Sequence, residues 1–109
     1  MKKYVPSGAN AMFDFESVNG GLDDQSNPGG EANLDIQYTV GLTYPTRNVF
    51  YSTAGSPPFI PDASTTSNTN EPYLEWLNHL LAKPDGEIPQ TVTTSYGVHF
   101  SCDTINSKC

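Results

Sequence analysis

At 109 residues the chain amounts to at most one small domain, and a hydrophobic fraction of 36% allows only a modest core. Twelve acidic against five basic residues give a net charge of −7, and no basic cluster exists beyond Lys2-Lys3, which argues against nucleic-acid binding because phosphate neutralisation needs grouped Lys and Arg. No segment is long and apolar enough to span a membrane, and Tyr4-Val5-Pro6-Ser7-Gly8 is not the apolar centre of a signal peptide.

Residues 1–12 carry Pro6, Gly8 and Asn10 and read as irregular. Met12-Phe13-Asp14-Phe15-Glu16-Ser17-Val18 alternates loosely and predicts a short strand, stopped by the turn signal Asn19-Gly20-Gly21. Residues 23–30 are polar with Gly and Pro, a loop. Residues 31–42 admit two readings. Leu34, Ile36, Tyr38, Val40 and Leu42 alternate with polar or small residues, and that period of two favours a strand. Glu31, Ala32 and the i, i+4 pairs Leu34/Tyr38 and Ile36/Val40 favour a helix. The pattern alone leans towards strand.

Pro45 ends that element. Asn48-Val49-Phe50-Tyr51-Ser52-Thr53 predicts a buried strand, and residues 55–70, rich in Pro, Ser, Thr and Asn, a surface loop. A helix is expected over 71–83, with Pro72 in its first turn, Asn70 as its cap and an apolar stripe of Leu74, Leu77, Leu80 and Leu81. Pro84-Asp85-Gly86 stops it, and Thr91-Val92-Thr93-Thr94-Ser95-Tyr96 predicts a last strand. The resulting alternation of strands and helices implies an α/β fold around a parallel sheet with crossover helices.

Glu31 and Asp35 stand four residues apart. In a helix that spacing is about one turn, so both carboxylates share a face, and two acids so close cannot both stay ionised cheaply. Such a pair suits general acid–base chemistry. In a strand the same four residues span about 13 Å and the pair is chemically meaningless. The plain alternative is a solvated acidic face at a helix start, where the dipole favours anions.

The run Glu31-Ala32-Asn33-Leu34-Asp35-Ile36-Gln37-Tyr38 resembles the catalytic Glu/Asp helix of the sedolisins, the serine-carboxyl peptidases, and in particular their fungal tripeptidyl-peptidase branch. The resemblance runs from about Phe13 to Gly97. It includes Val18-Asn19-Gly20-Gly21, Val49-Phe50-Tyr51-Ser52, Glu71-Pro72-Tyr73-Leu74-Glu75-Trp76-Leu77 and Thr94-Ser95-Tyr96-Gly97. It implies that residues 31–42 are a helix buried on most sides, within a partial, truncated subtilisin-like fold. It implies that Glu31 is a general base for a serine and that Asp35 orients it. Peptide or protein would be the parent enzyme's substrate, acidic pH its working range, and the extracellular space its location.

The family's nucleophile motif Ser-Gly-Thr-Ser and its oxyanion Asp motif Ser-Gly-Asp do not occur in the sequence. The calcium site that the resemblance implies for the full-length domain has no counterpart here either, so no cofactor is expected within this chain. Residues 1–97 therefore read as the N-terminal part of a sedolisin-like catalytic domain, and residues 98–109 as a divergent tail matching nothing in the family. The expectation is a truncated peptidase, inactive alone. The alternative is a small non-catalytic binding protein on a degenerate peptidase scaffold, with a full-length relative or its pro-segment as partner.

Other groups carry less. Cys102 and Cys109 either pair across a short loop or stay free, and two cysteines define neither a disulfide framework nor a zinc site. His79 reads as a surface or boundary residue of the Leu-rich helix, and His99 lies in the unmatched tail. Tyr73 and Trp76 read as packing residues. No Gly-x-Ser-x-Gly motif and no Asn-x-Ser/Thr acceptor is present.

Overall fold

A computed structural model describes residues 5–61, 63 and 65–96. The expectations placed on residues 98–109, including His99 and the Cys102/Cys109 pair, lie outside these residues.

Strand β1 (Asp14–Val18) begins two residues later than the alternation predicted. It ends at a turn in which Asn19 (φ 52°) and Gly20 (φ 82°) both take left-handed backbone angles, which Asn tolerates and Gly adopts without steric cost. The Gly21 amide then donates to the Val18 carbonyl at 3.0 Å. A Cβ on Gly21 would lie 1.8 Å from the Ser52 carbonyl oxygen, so only glycine lets the turn rest on the neighbouring strand.

Helix α1 (Gly30–Thr43) follows, so the helical reading holds against the period-two pattern. The reason is topological. Strand β2 (Val49–Thr53) pairs parallel to β1, in register from Asp14↔Val49 to Val18↔Thr53. Parallel neighbours need a crossover of a dozen or more residues, and a helix crosses while satisfying its own backbone hydrogen bonds. Gln37 Nε2 donating to Asn33 Oδ1 at 2.7 Å adds an i, i+4 bond. The helix is not buried on most sides, as the resemblance implied. Only Val40 and Gly41 are buried, and Tyr38 (64%) and Leu42 (75%) stand exposed. A two-stranded sheet is too narrow to cover more than one stripe of a helix.

Helix α2 (Tyr73–Leu81) is shorter than 71–83. Asn70 does not cap it: its backbone N–H bonds Asn68 Oδ1 at 3.1 Å, and its own Oδ1 accepts from the Tyr96 hydroxyl at 3.0 Å. Nor does the leucine stripe all turn inward, since Leu74 (65%) and Leu81 (81%) are exposed. The helix meets β1 through His79 instead, joined by Lys83 just past its end.

Thr91–Tyr96 forms no strand, against the prediction, because β-branched residues make a strand only where their backbone pairs with an edge. The architecture among the described residues is therefore α/β, with one two-stranded parallel sheet and two helices. Val18 and Val40, each 2% exposed, are its buried apolar residues. Glu16 and Tyr51, paired in register, share the sheet face that meets α2. Phe13 and Phe50 meet edge-on at 6.0 Å and share a hollow with Ile36 of α1.

Candidate functional site

A cleft of about 320 Å³ is lined by α1, by β2, by the start of α2 and by residues 92–96. Glu31 and Asp35 both line it. The structure thus resolves the strand-or-helix question: the two acids lie about one turn apart on α1 and border one cavity. Glu31 occupies the first turn, where the unpaired amides of a helix start favour a carboxylate. It is exposed, and Asp35 is half-buried. Among the described residues no hydrogen bond or ion pair joins the two or ties either to another side chain. Both are therefore available to a group entering the cleft.

Tyr73 and Trp76, read as packing residues, line the same cleft. Their rings meet edge-on at 6.0 Å, and the Tyr73 ring lies 5.3 Å from that of Tyr96. The Tyr73 hydroxyl and Thr94 Oγ1 are 2.7 Å apart. These contacts hold residues 92–96 beside the start of α2 without a strand.

A second polar group was not legible in the sequence. Glu16 Oε1 accepts hydrogen bonds from His79 Nε2 at 2.6 Å and Lys83 Nζ at 2.5 Å. Lys83 Nζ also lies 5.8 Å from the centre of the Tyr51 ring, and the His79 ring lies 6.1 Å from it. The Lys83 bond is the main cause that holds the Glu16 carboxyl below its ordinary value, with the His79 bond adding to it against a cost of burial. The same bond to Glu16 raises Lys83. His79 and Lys83 are one turn apart, a spacing visible in the sequence, but their partner lies more than sixty residues away on β1. On the same helix Glu75 Oε2 is buried with no hydrogen-bond partner among the described residues.

Among the described residues no three His, Cys, Asp or Glu side chains gather closely enough to hold a metal ion. No helix among the described residues is long and apolar enough to cross a membrane.

An α/β segment that presents a Glu/Asp pair one turn apart to a cleft agrees with the motif resemblance, and comparison with known proteins extends it. The chain is 44% identical over 102 residues to a probable tripeptidyl-peptidase SED2 of Arthroderma benhamiae, covering 89% of this chain and 17% of that protein. It is 44% identical over 99 residues to tripeptidyl-peptidase SED4 of Arthroderma otae, covering 86% of this chain and 16% of that protein. It is 42% identical over 91 residues to tripeptidyl-peptidase sed4 of Aspergillus fumigatus, covering 78% of this chain and 15% of that protein. The chain is thus homologous to a segment of these fungal tripeptidyl-peptidases, the branch that its motifs resemble, and spans about one-sixth of their length. No family model matches the chain, and no solved structure does.

Proposed function

We propose that residues 13–97 are the base-bearing segment of a sedolisin-type serine-carboxyl peptidase with a subtilisin-like fold, secreted and working at acidic pH. Glu31 acts as the general base and Asp35 as the residue that orients it. In that reaction a serine from another part of the enzyme attacks the peptide carbonyl. Its hydroxyl proton passes to Glu31, which returns it to the departing amine, and a second cycle with water frees the acid. Tripeptides released from free N-termini are the products. A carboxylate base must be ionised to accept the proton, and an acid neighbour one turn away positions it as the third member of a triad does.

The observation that carries this reading is the shared cleft of Glu31 and Asp35 on one face of α1, in a segment homologous to tripeptidyl-peptidases. The 109-residue chain contains neither the Ser-Gly-Thr-Ser nor the Ser-Gly-Asp motif, so by itself it hydrolyses no peptide.

Two experiments test this. The purified chain is incubated with a tripeptide reporter at acidic pH; cleavage that Glu31→Ala abolishes would overturn the proposed inactivity. In the second, residues 13–96 replace the matching segment of a full-length relative. The chimera should release tripeptides, and Glu31→Gln in it should lower kcat by about 10²- to 10⁴-fold, the usual share of a general base. A chimera that is folded and active but indifferent to Glu31→Gln would exclude the assigned role.

A further inference from the structure

The junction between β1 and the end of α2 leads beyond this reading. Its carboxylate and both of its donors belong to this chain, so it is complete without any further segment. Tyr73, Trp76, His79, Leu80 and Lys83 are all half-buried, whereas Leu74, Leu77, Asn78 and Leu81 are exposed. Spacings of three and four place the first group on one stripe, which faces the sheet. The Ala82 amide donates to the Asn78 carbonyl and the Lys83 amide to the Leu80 carbonyl, each at 3.1 Å, so a helical turn carries the stripe as far as Lys83. Tyr73 and Trp76 at its start line the cleft, and His79 and Lys83 at its end hold Glu16. A helix moves as a nearly rigid rod, so the two ends of the stripe shift together.

Charge fastens the far end of that rod. The Lys83 side chain is only 14% exposed, and an ammonium so shielded needs a counter-charge beside it. Glu16 supplies it while ionised. Once Glu16 takes up a proton, Lys83 has to turn out to water, and the end of α2 moves with it. The other titratable groups around the junction do not replace Glu16. Tyr51 of β2 and Glu87 of the 3-10 turn Asp85–Glu87 face Lys83 only at longer range. Asp14, two residues from Glu16 on β1, is paired with Arg47 at 2.6 Å. Glu75 lies one turn before His79 on α2, and Gly55 stands against its carboxyl.

We propose that Glu16, His79 and Lys83 form an acid-sensitive tether for the cleft wall. The tether fixes Tyr73 and Trp76 in place while Glu16 is ionised and releases them when Glu16 takes up a proton. Its two donors hold Glu16 ionised below the ordinary carboxylate value, so the wall keeps its place in acid where an unassisted carboxylate would let it go. The tether acts whether or not Glu31 is a base, so either reading can fail alone.

Trp76 is the one tryptophan of the chain, so its fluorescence reads the wall directly. The full chain is titrated from pH 7 to pH 2, below its melting temperature at each pH. Three signals are followed: Trp76 emission, far-UV circular dichroism, and the Glu16 carboxyl resonance in protein labelled with carbon-13 glutamate. Emission should shift to the red with the same midpoint as the Glu16 resonance, while the dichroism stays unchanged. In Lys83→Gln the shared midpoint should lie at higher pH, because the main donor to Glu16 loses its charge. In Glu16→Gln the acid transition should vanish, and emission at pH 7 should already be red-shifted. Replacing Glu31, Asp35, Glu71 or Glu75 by its amide should leave the midpoint where it is. Emission that stays constant while Glu16 titrates, a midpoint that follows another carboxylate, or a transition that coincides with loss of the helix signal would each overturn the proposal. If Glu16→Gln does not fold, Lys83→Gln and the Glu16 resonance of the unaltered chain still decide.

Discussion

Helix α2 and helix α1 meet the same narrow sheet in opposite ways. At the α2 junction, His79 and Lys83 converge on one carboxylate oxygen of the sequence-distant Glu16, with Tyr51 against them. At the α1 cleft, two carboxylates stand without hydrogen-bond or ion-pair partners among the described residues. The first region is complete in itself. The second leaves its acids open to the cleft. A carboxylate tied down by two donors is a poor base for an incoming group, and the role proposed for Glu31 needs a carboxylate without such ties.

The comparison breaks most readily at its foundation, where β1 and β2 are held together. Gly21→Ala forces a Cβ into the Ser52 backbone and should destabilise the fold by about 3 kcal/mol, read by urea denaturation. An unchanged midpoint would mean that the turn does not rest on β2. Val40→Ala empties the buried stripe of α1 and should cost about 2 kcal/mol. Losing α1 in this way should also separate Glu31 from the cleft, so the chimera would lose activity with stability.

The α2 junction is sharpened by charge and pH. Glu16→Gln should cost about 1 kcal/mol, since the pair is partly exposed and screened by solvent. The sign of the pH dependence follows from the shifts. Glu16 is lowered from its ordinary 4.5, so its contribution is fully present above that value and is lost as pH falls through the lower folded value. Lys83 is raised from its ordinary 10.5, so its contribution is present below that value and is lost as pH rises through the higher folded one. Melting temperatures measured from pH 2 to 7 should fall on the acid side, and the fall should be shallower in Glu16→Gln. Equal slopes in both proteins would mean that Glu16 does not set the acid limb.

The smallest effect is the most diagnostic. Glu31→Gln and Asp35→Asn should each change stability by less than about 0.5 kcal/mol, because among the described residues neither acid bonds another side chain and the helix-start contribution of an exposed carboxylate is small. A loss as large as that of Glu16→Gln would show that the two regions do not differ, and that the acids are structural.

Local signals in the sequence determined much of the chain. Asn19-Gly20 specified a left-handed turn because few other residues accept those angles, and the β-branched and aromatic run at 49–53 specified a strand. Pro72 and Pro84-Asp85-Gly86 bracketed α2, and the family motif pointed to Glu31 and Asp35. Tertiary structure alone decided the rest. Residues 31–42 alternate as a strand would, yet become helix because parallel pairing of β1 with β2 demands a crossover. Thr91–Tyr96 has the composition of a strand, yet forms none because its backbone pairs with no edge. Glu16 gains its two donors only when α2 lands on β1. Propensity is a property of neighbours along the chain, whereas pairing, crossover and ion contacts depend on residues that folding brings together from far apart.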